Sequence, residues 1–277
     1  MTHSRPRIHE LLDAHGLAAR RELGQNFVAD PNTVRRIAEL SRVGPGDLVV
    51  EIGPGLGSLT LALAETGADI VAVEVDSGLA AVAADLLGTA VTVIVADAMK
   101  LDWDQLIAEH LDPDGGGGVH VVSNLPYNIG TTLILDILAE VPQVETLTVL
   151  VQAEVAERFA ADPGSKIYGI PSVMAALYSA SEVVASVPPS VFVPKPKVDS
   201  SVIRFVRRDT PPAVSHGELS RVVKAAFGQR RKMIRRSLSG ILSEEEIAHV
   251  GVDPTHRAEQ LPLDQWIDLA RAVDSDT

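Results

Sequence analysis

Cysteine is absent from the 277 residues, which excludes a disulfide framework and any thiolate metal site. Long hydrophobic runs are missing too. The most apolar stretch, residues 86–96, has 11 residues, against the roughly 20 that a membrane-spanning helix needs. The opening Met1-Thr2-His3-Ser4-Arg5-Pro6 lacks the apolar core of a secretion signal. No membrane association and a cytoplasmic location are therefore expected. The eight histidines show no ligand spacing. His9 and His15 flank an N-terminal helical pattern, His216 and His256 fall in predicted loops, and surface roles without a metal are expected. Disorder is excluded by the 46% apolar composition, and the length accommodates one large domain and a small one.

Basic charge is scarce where it might be expected and dense elsewhere. Between residues 43 and 157 Lys100 is the one basic side chain against 18 acids, within a chain of net charge -13. Residues 195–236 carry 12 Lys and Arg against Asp199, Asp209 and Glu218, so half of the 24 basic residues lie in 42 positions. Such concentration is the electrostatic footprint of phosphate binding, with salt-dependent affinity.

The chain opens with a helical pattern over residues 8–23 and the segment Gly24-Gln25-Asn26-Phe27-Val28. Asp30 then fits a helix N-cap with Pro31 at the first helical position, and that helix is predicted to run to about Leu40. Strand and helix patterns alternate to about Leu150, which implies a parallel sheet with crossover helices. The predicted strands are 49–52, 70–73, 91–95, 119–123 and 148–151, the last followed by a helix through Arg158. Residues 112–118, with four consecutive glycines, read as a mobile turn. The proline-rich residues 187–200 read as a restricted loop that fixes the position of Phe192, before a strand at 201–206. Residues 207–217, with Thr210-Pro211-Pro212, read as a linker to a small helical domain. The predicted division is a catalytic domain at 1–207, with an N-terminal lid at 1–30, and an RNA-binding helical domain at 208–277.

Three strand ends carry cofactor chemistry. The first leads into Glu51-Ile52-Gly53-Pro54-Gly55-Leu56-Gly57-Ser58, a glycine-rich turn that admits a close ligand. A dinucleotide fingerprint would need glycine where Ser58 stands, whereas E-x-G-x-G-x-G is the form usual in S-adenosylmethionine enzymes. The next strand ends in Glu74-Val75-Asp76, where an acid can hold ribose hydroxyls. The third ends in Asp97, a candidate acceptor for an adenine amine that in isolation would read as a solvated strand-end acid and gains its meaning from the series of strand ends. The expected fold is thus a Rossmann-like α/β sheet that binds S-adenosylmethionine, with no metal.

The fourth strand ends in Asn124-Leu125-Pro126-Tyr127. An exocyclic base amine is a poor nucleophile because its lone pair is delocalised into the ring. If the Asn124 side-chain oxygen and the Leu125 carbonyl accept its two hydrogens, the nitrogen is drawn toward a tetrahedral shape. Tyr127 stacks on the base in this scheme, and Pro126 holds the carbonyl still. Phe192, beside Lys195 and Lys197, suits a second stacking wall, although a hydrophobic plug beneath the loop fits the composition equally well. Arg221, Lys224, Arg230, Arg231, Lys232, Arg235 and Arg236 decorate one helical pattern with no intervening acid, which favours RNA contact over a self-paired surface.

Over nearly its whole length the sequence resembles the small-subunit ribosomal RNA dimethyladenosine transferases. The resemblance rests on Gly24-Gln25-Asn26-Phe27, the Glu51 to Gly57 turn, Asp97-Ala98, Asn124-Leu125-Pro126-Tyr127-Asn128-Ile129, the Pro194 to Ser200 loop and Arg230-Arg231-Lys232. It implies transfer of two methyl groups to N6 of each of two adjacent adenines in the 3′-terminal hairpin of 16S rRNA, in the 30S subunit, contributing to subunit biogenesis; a monomer is expected, although the sequence carries no signal that decides dimerisation. It further implies that Asn26, Val28, Gly53, Gly55, Glu74, Asp97 and Asn124 contact S-adenosylmethionine, leaving S-adenosylhomocysteine as product. Asn124 and Leu125 would orient the amine, and Tyr127 and Phe192 would stack on the flipped adenine. Leu23, Val28 and Gly130 depart from the residues commonest in that family. Gly130 leaves the ease of the second methylation open. Competing expectations are a 23S rRNA dimethylase with the same motif logic, a non-catalytic RNA-binding assembly factor and a dinucleotide-dependent dehydrogenase.

Overall fold

The computed structural model describes residues 2–112 and 116–274. Nine strands form in chain order: β1 (Phe27–Val28), β2 (Leu48–Ile52), β3 (Asp69–Glu74), β4 (Thr92–Val95), β5 (Val119–Asn124), β6 (Val144–Gln152), β7 (Ser179–Val187), β8 (Phe192–Val193) and β9 (Ser200–Arg207). The helices are α1 (Arg5–Ala14), α2 (Pro31–Ser41), α3 (Ser58–Ala64), α4 (Ser77–Leu87), α5 (Trp103–His110), α6 (Gly130–Glu140), α7 (Ala153–Phe159), α8 (Ile170–Tyr178), α9 (His216–Gly228), α10 (Ile234–Ser237), α11 (Glu244–His249) and α12 (Leu263–Asp274). A seven-stranded sheet has the order β4-β3-β2-β5-β6-β9-β7, and β1 and β8 form a separate pair. Strands β4, β3, β2, β5 and β6 are mutually parallel, and β9 runs antiparallel to β6. The chain moves outward from β2 to β4 and then returns to place β5 on the other side of β2. That reversal is a switch point of the kind where open α/β sheets leave a crevice beyond the strand ends. The Ser123 hydroxyl donates to the Ile52 carbonyl across it.

Local chemistry sets the element boundaries. Asp30 caps α2 by accepting from the Thr33 N–H at 2.9 Å and from its hydroxyl at 2.6 Å, with Pro31 leading the helix. Asp76 caps α4 by accepting from the N–H groups of Gly78 and Leu79. The helix expected over residues 8–23 is shorter: α1 stops at Ala14, the chain reverses at Gly16, and one 3₁₀ turn follows at Arg21–Leu23. Its apolar face, Ile8, Leu11 and Leu12, packs with Leu79 and Val82 of α4 and with Leu56, Phe27 and Val193. The fifth predicted strand is longer than expected, as β6 begins at Val144. Of the glycine-rich turn, residues 113–115 lie outside the described residues. Its end is pinned, because Gly118 donates to Asp47 at 3.1 Å and accepts from the Leu48 N–H at 2.9 Å.

Two compact units result: 1–156 with 182–206, and 157–181 with 207–277. The second is therefore discontinuous in sequence, unlike the single boundary expected after residue 207. Its rings explain the recruitment of the earlier segment. Tyr168 meets the Phe227 ring edge-on at 6.1 Å, Phe227 stacks on Trp266 at 5.6 Å, and the Tyr168 hydroxyl and the Trp266 indole N–H both donate to the Leu261 carbonyl at 3.0 Å. A ring core built from residues so far apart in sequence leaves no composition signal at either boundary. The continuous basic helix expected across 221–238 is also interrupted, since α9 ends at Gly228 and α10 starts at Ile234.

Candidate active site

Strand β2 brings Glu51 to the sheet edge and opens into the glycine turn before α3. Gly55 has φ +57°, and a Cβ there would lie 2.7 Å from the Phe27 ring, so only glycine lets the N-terminal segment lie against this turn. Glu74, at the end of β3, accepts the Gly55 N–H on Oε2 and the Asp76 N–H on Oε1, each at 3.0 Å. Burial pushes its carboxyl above the ordinary glutamate value, and these backbone bonds pull the other way. Asp76 pairs with Arg20 at 3.2 Å, which ties the N-terminal segment to the sheet edge. Asp97 accepts from the Met99 N–H at 3.1 Å, with the Lys100 ammonium 3.5 Å away.

Asn124 is the last residue of β5. Its Nδ2 donates to the Asn26 carbonyl at 2.8 Å, and Asn26 Nδ2 donates to the Gly24 carbonyl at 3.1 Å. The first bond fixes which end of the Asn124 amide faces the N-terminal segment and leaves Oδ1 as the acceptor end. Leu125 is buried and its N–H donates to the Leu150 carbonyl at 3.1 Å, while the Pro126 carbonyl accepts from the N–H groups of Ile129 and Gly130. Backbone on both sides of the Leu125 carbonyl is therefore held. Gly24 closes over this turn: with φ +65°, a Cβ would come within 3.1 Å of the Tyr127 nitrogen. Tyr127 is half-buried, with its hydroxyl 2.7 Å from Ser200 Oγ, and burial raises its pKa.

All seven expected cofactor residues, Asn26, Val28, Gly53, Gly55, Glu74, Asp97 and Asn124, line one cavity of about 260 Å³, together with Pro126 and Asn128. In space they run Asp97, Glu74, Gly53, Asn124, because the sheet order places β5 beside β2. Phe192 is not on a stacking wall. Pairing of β8 with β1 sets Val28 opposite Phe192, and the ring is fully buried in the core cluster with Val34, Ile37 and Val202. The plug expectation describes it, which leaves Tyr127 as the aromatic candidate.

The basic residues divide as well. Lys195 and Lys197 are exposed, and so are Lys224, Arg231, Lys232 and Arg236, none of which pairs with an acid among the described residues. Arg221 pairs with Glu218 and Arg235 with Glu244, each at 2.8 Å. Arg230 is turned inward: its guanidinium donates to Glu259 at 2.8 Å and to the carbonyls of Tyr168, Lys166 and Ser165. Most of the Arg230 donors are thus engaged within its own chain, unlike those of the exposed Arg231 and Lys232. Among the described residues no group of three metal-ligating side chains assembles.

Glu51, which the sequence shows only as the head of the glycine-turn motif and with no role of its own, also lines the cavity. It is 1% exposed, its Oε2 has no hydrogen-bond partner, and burial together with the charge of Glu74 pushes its carboxyl up to about 8, with Thr60 opposing. The available signal was a lone acid in the apolar run Leu48-Val49-Val50-Glu51-Ile52. Its proton is retained in the folded state and released in the unfolded chain above the ordinary glutamate value of 4.5. Stability conferred by that proton is complete below pH 4.5 and is lost as pH rises toward about 8, at up to about 1.4 kcal/mol per pH unit. Urea unfolding of the cofactor-free protein at pH 5 and pH 8 is expected to show this decline, and Glu51→Gln to flatten it. An equal slope in both proteins would count against the assignment.

Residues 16–275 match the family model for ribosomal RNA adenine dimethylase. The chain belongs to the ribosomal RNA adenine dimethylase family. A Cutibacterium acnes protein named ribosomal RNA small subunit methyltransferase A is 44% identical over 97% of this chain and 92% of its own length. A Kineococcus radiotolerans protein of the same name is 42% identical over 95% and 89%. Among solved structures, the 23S rRNA methyltransferase ErmE is 28% identical with TM-score 0.67, covering 90% of this chain and 99% of that one. A dimethyladenosine transferase from Plasmodium falciparum, at 20% identity and TM-score 0.70 over 87% and 94%, shares the fold. As a member of this methyltransferase family the chain is an enzyme, and the scaffold-only and dehydrogenase expectations fall away.

The dimethylase carries Gly130 as the first residue of α6, outside the left-handed region. A Cβ there would make ordinary contacts with Val151 at 3.6 Å and Leu125 at 3.7 Å. Gly130→Ala is expected to stabilise the protein by about 0.4–1 kcal/mol by restricting the unfolded chain, read as a higher midpoint in urea. A lower midpoint would show that the turn after Tyr127 needs glycine.

Proposed function

We propose that this enzyme dimethylates N6 of two adjacent adenines in the 3′-terminal hairpin of 16S rRNA in the 30S subunit, using S-adenosylmethionine, as a step in small-subunit biogenesis. The observation that carries the reaction is the 2.8 Å bond from Asn124 Nδ2 to the Asn26 carbonyl, which presents Oδ1 beside the cavity. The choice of 16S over 23S rests on the small-subunit names of the relatives at 42–44% identity, against 28% for ErmE.

The cavity fits the cofactor on its own chemistry. An unpartnered oxygen of the protonated Glu51 can accept a hydrogen bond from an amino group, Glu74 suits ribose hydroxyls, Asp97 suits an adenine amine, and the Gly55 turn admits close approach. When bound, S-adenosylmethionine supplies an electrophilic methyl group and leaves as S-adenosylhomocysteine. Asn124 Oδ1 and the Leu125 carbonyl accept the two amine hydrogens of an adenine drawn from its stack, exposing the nitrogen lone pair, and Tyr127 supports the ring face. Positioning dominates, since the amine is held in line rather than deprotonated beforehand. The proton of the methylated, strongly acidic cation passes to water. One amine hydrogen remains after the first transfer, so the second uses one of the two acceptors and requires the pocket to admit a methyl group where the other hydrogen lay.

No described helix is long and apolar enough to cross a membrane, and we propose a cytoplasmic enzyme that acts as a monomer without a metal. Radiolabelled methyl transfer is expected into 30S subunits lacking dimethyladenosine, and into neither premethylated 30S nor 50S subunits. Labelling of 50S alone would transfer the assignment to the 23S class.

A further inference from the structure

Arg230 is held by more partners than its fold position needs. Its Nε donates to Glu259 at 2.8 Å, Nη1 to the Tyr168 carbonyl at 2.9 Å, and Nη2 to the carbonyls of Lys166 at 2.7 Å and Ser165 at 3.4 Å, with the guanidinium 5.9 Å from the centre of the Phe227 ring. The three carbonyls it grips all belong to the loop from Asp162 to Gly169. That loop is fastened again by Gly164 N–H to the Glu259 carbonyl at 2.6 Å, by Tyr168 N–H to Ser165 Oγ at 3.2 Å, and by the Tyr168 hydroxyl. Tyr168 is buried as the loop's anchor, whereas Lys166 and Ile167 point into solvent, Ile167 with 42% of its surface exposed. Arg231 and Lys232 follow Arg230 directly and are exposed, as is the apolar Met233 at 41%. Cations alternating with exposed apolar side chains on a stiff support match the two surfaces of RNA, phosphates and the faces of ribose and base.

We propose that the 162–169 loop is a further RNA-contact element, with Lys166 on a backbone phosphate and Ile167 against an adjoining sugar or base, and that Arg230 is its positioning residue. Its planar fork reaches three carbonyls at once, which a lysine ammonium on a flexible stem does not reproduce. The proposal rests on the assignment of ribosomal RNA as substrate. It adds a contact that the charge run at 221–236 does not contain.

The test uses the full-length enzyme, steady-state methylation of undermethylated 30S subunits across a salt series, and hydrogen exchange. Lys166→Ala is expected to raise KM for 30S roughly 3- to 10-fold and to lower the salt slope of log KM by about 1, as loss of one phosphate contact does. The value of kcat at saturating 30S stays close to wild type, and Lys166→Arg restores KM. Arg230→Lys is expected to raise KM similarly and to speed amide exchange over 164–168, with cofactor affinity retained. Unchanged KM and salt slope in Lys166→Ala would overturn the RNA contact, and unchanged exchange in Arg230→Lys would overturn the positioning role. If the wild-type enzyme labels 50S rather than 30S, the substrate assignment fails separately, and the same variants are read on 50S.

Discussion

Asn124→Ala is expected to lower methyl transfer to undermethylated 30S subunits by about 10²–10³-fold, the size seen when a preorganised polar group is removed from a reacting centre. The side chain has two jobs that alanine loses together. Its Nδ2 is committed to the Asn26 carbonyl at 2.8 Å, and that commitment fixes Oδ1 as the acceptor for the target amine. Asn124→Asp separates the two. A carboxylate keeps an acceptor but sets a second oxygen against the Asn26 carbonyl, so the N-terminal segment is repelled, and a loss approaching that of alanine is expected. Cofactor binding by Asn124→Ala should remain measurable by calorimetry, because Glu74, Asp97 and the glycine turn are untouched. Near-normal turnover in single-turnover assays would sink the amine-orienting role.

Glu74→Ala is expected to weaken S-adenosylmethionine binding by about 100-fold, equivalent to about 2.7 kcal/mol, or one or two charge-assisted hydrogen bonds. Glu74 is 4% exposed and lines the cavity, with each oxygen already accepting one backbone N–H. A carboxylate oxygen has two acceptor sites, so one on each side remains for a ligand hydroxyl. Alanine also strands the Gly55 and Asp76 N–H groups, and a fall in thermal midpoint should accompany the affinity loss. Glu74→Gln distinguishes these effects: it keeps one carbonyl oxygen and removes the charge, and an intermediate loss of about 10-fold is expected. Affinity within twofold of wild type in Glu74→Ala would remove the residue from the cofactor site.

How far the site was legible depends on how far apart its partners lie. The Asp30-Pro31 helix start, the apolar strand preceding Asn124 and the turn at Gly53 to Gly57 each act over a few neighbouring residues, so residue type and spacing expose them. Glu51 was legible in principle, as an acid in an apolar strand, yet its meaning depended on what surrounded it. The Phe192 expectation failed because a two-residue strand pairing with Val28 turned the ring inward. That pairing spans most of the catalytic unit and leaves no periodic trace.

By itself the sequence determined the class of the molecule: a parallel α/β sheet, a glycine turn followed by two acidic strand ends, and an Asn-Leu-Pro-Tyr strand exit. These follow from backbone propensity and from the burial of alternating apolar runs, which are local properties. Only the tertiary structure decided that β5 lies beside β2 rather than β4, that Asn26 orients Asn124 across 98 positions of chain, and that Arg230 donates to the carbonyls of a loop 62 to 64 positions upstream. A hydrogen bond between distant residues is selected by the packing of everything between them, and a basic side chain looks the same in sequence whether its donors face water or its own backbone.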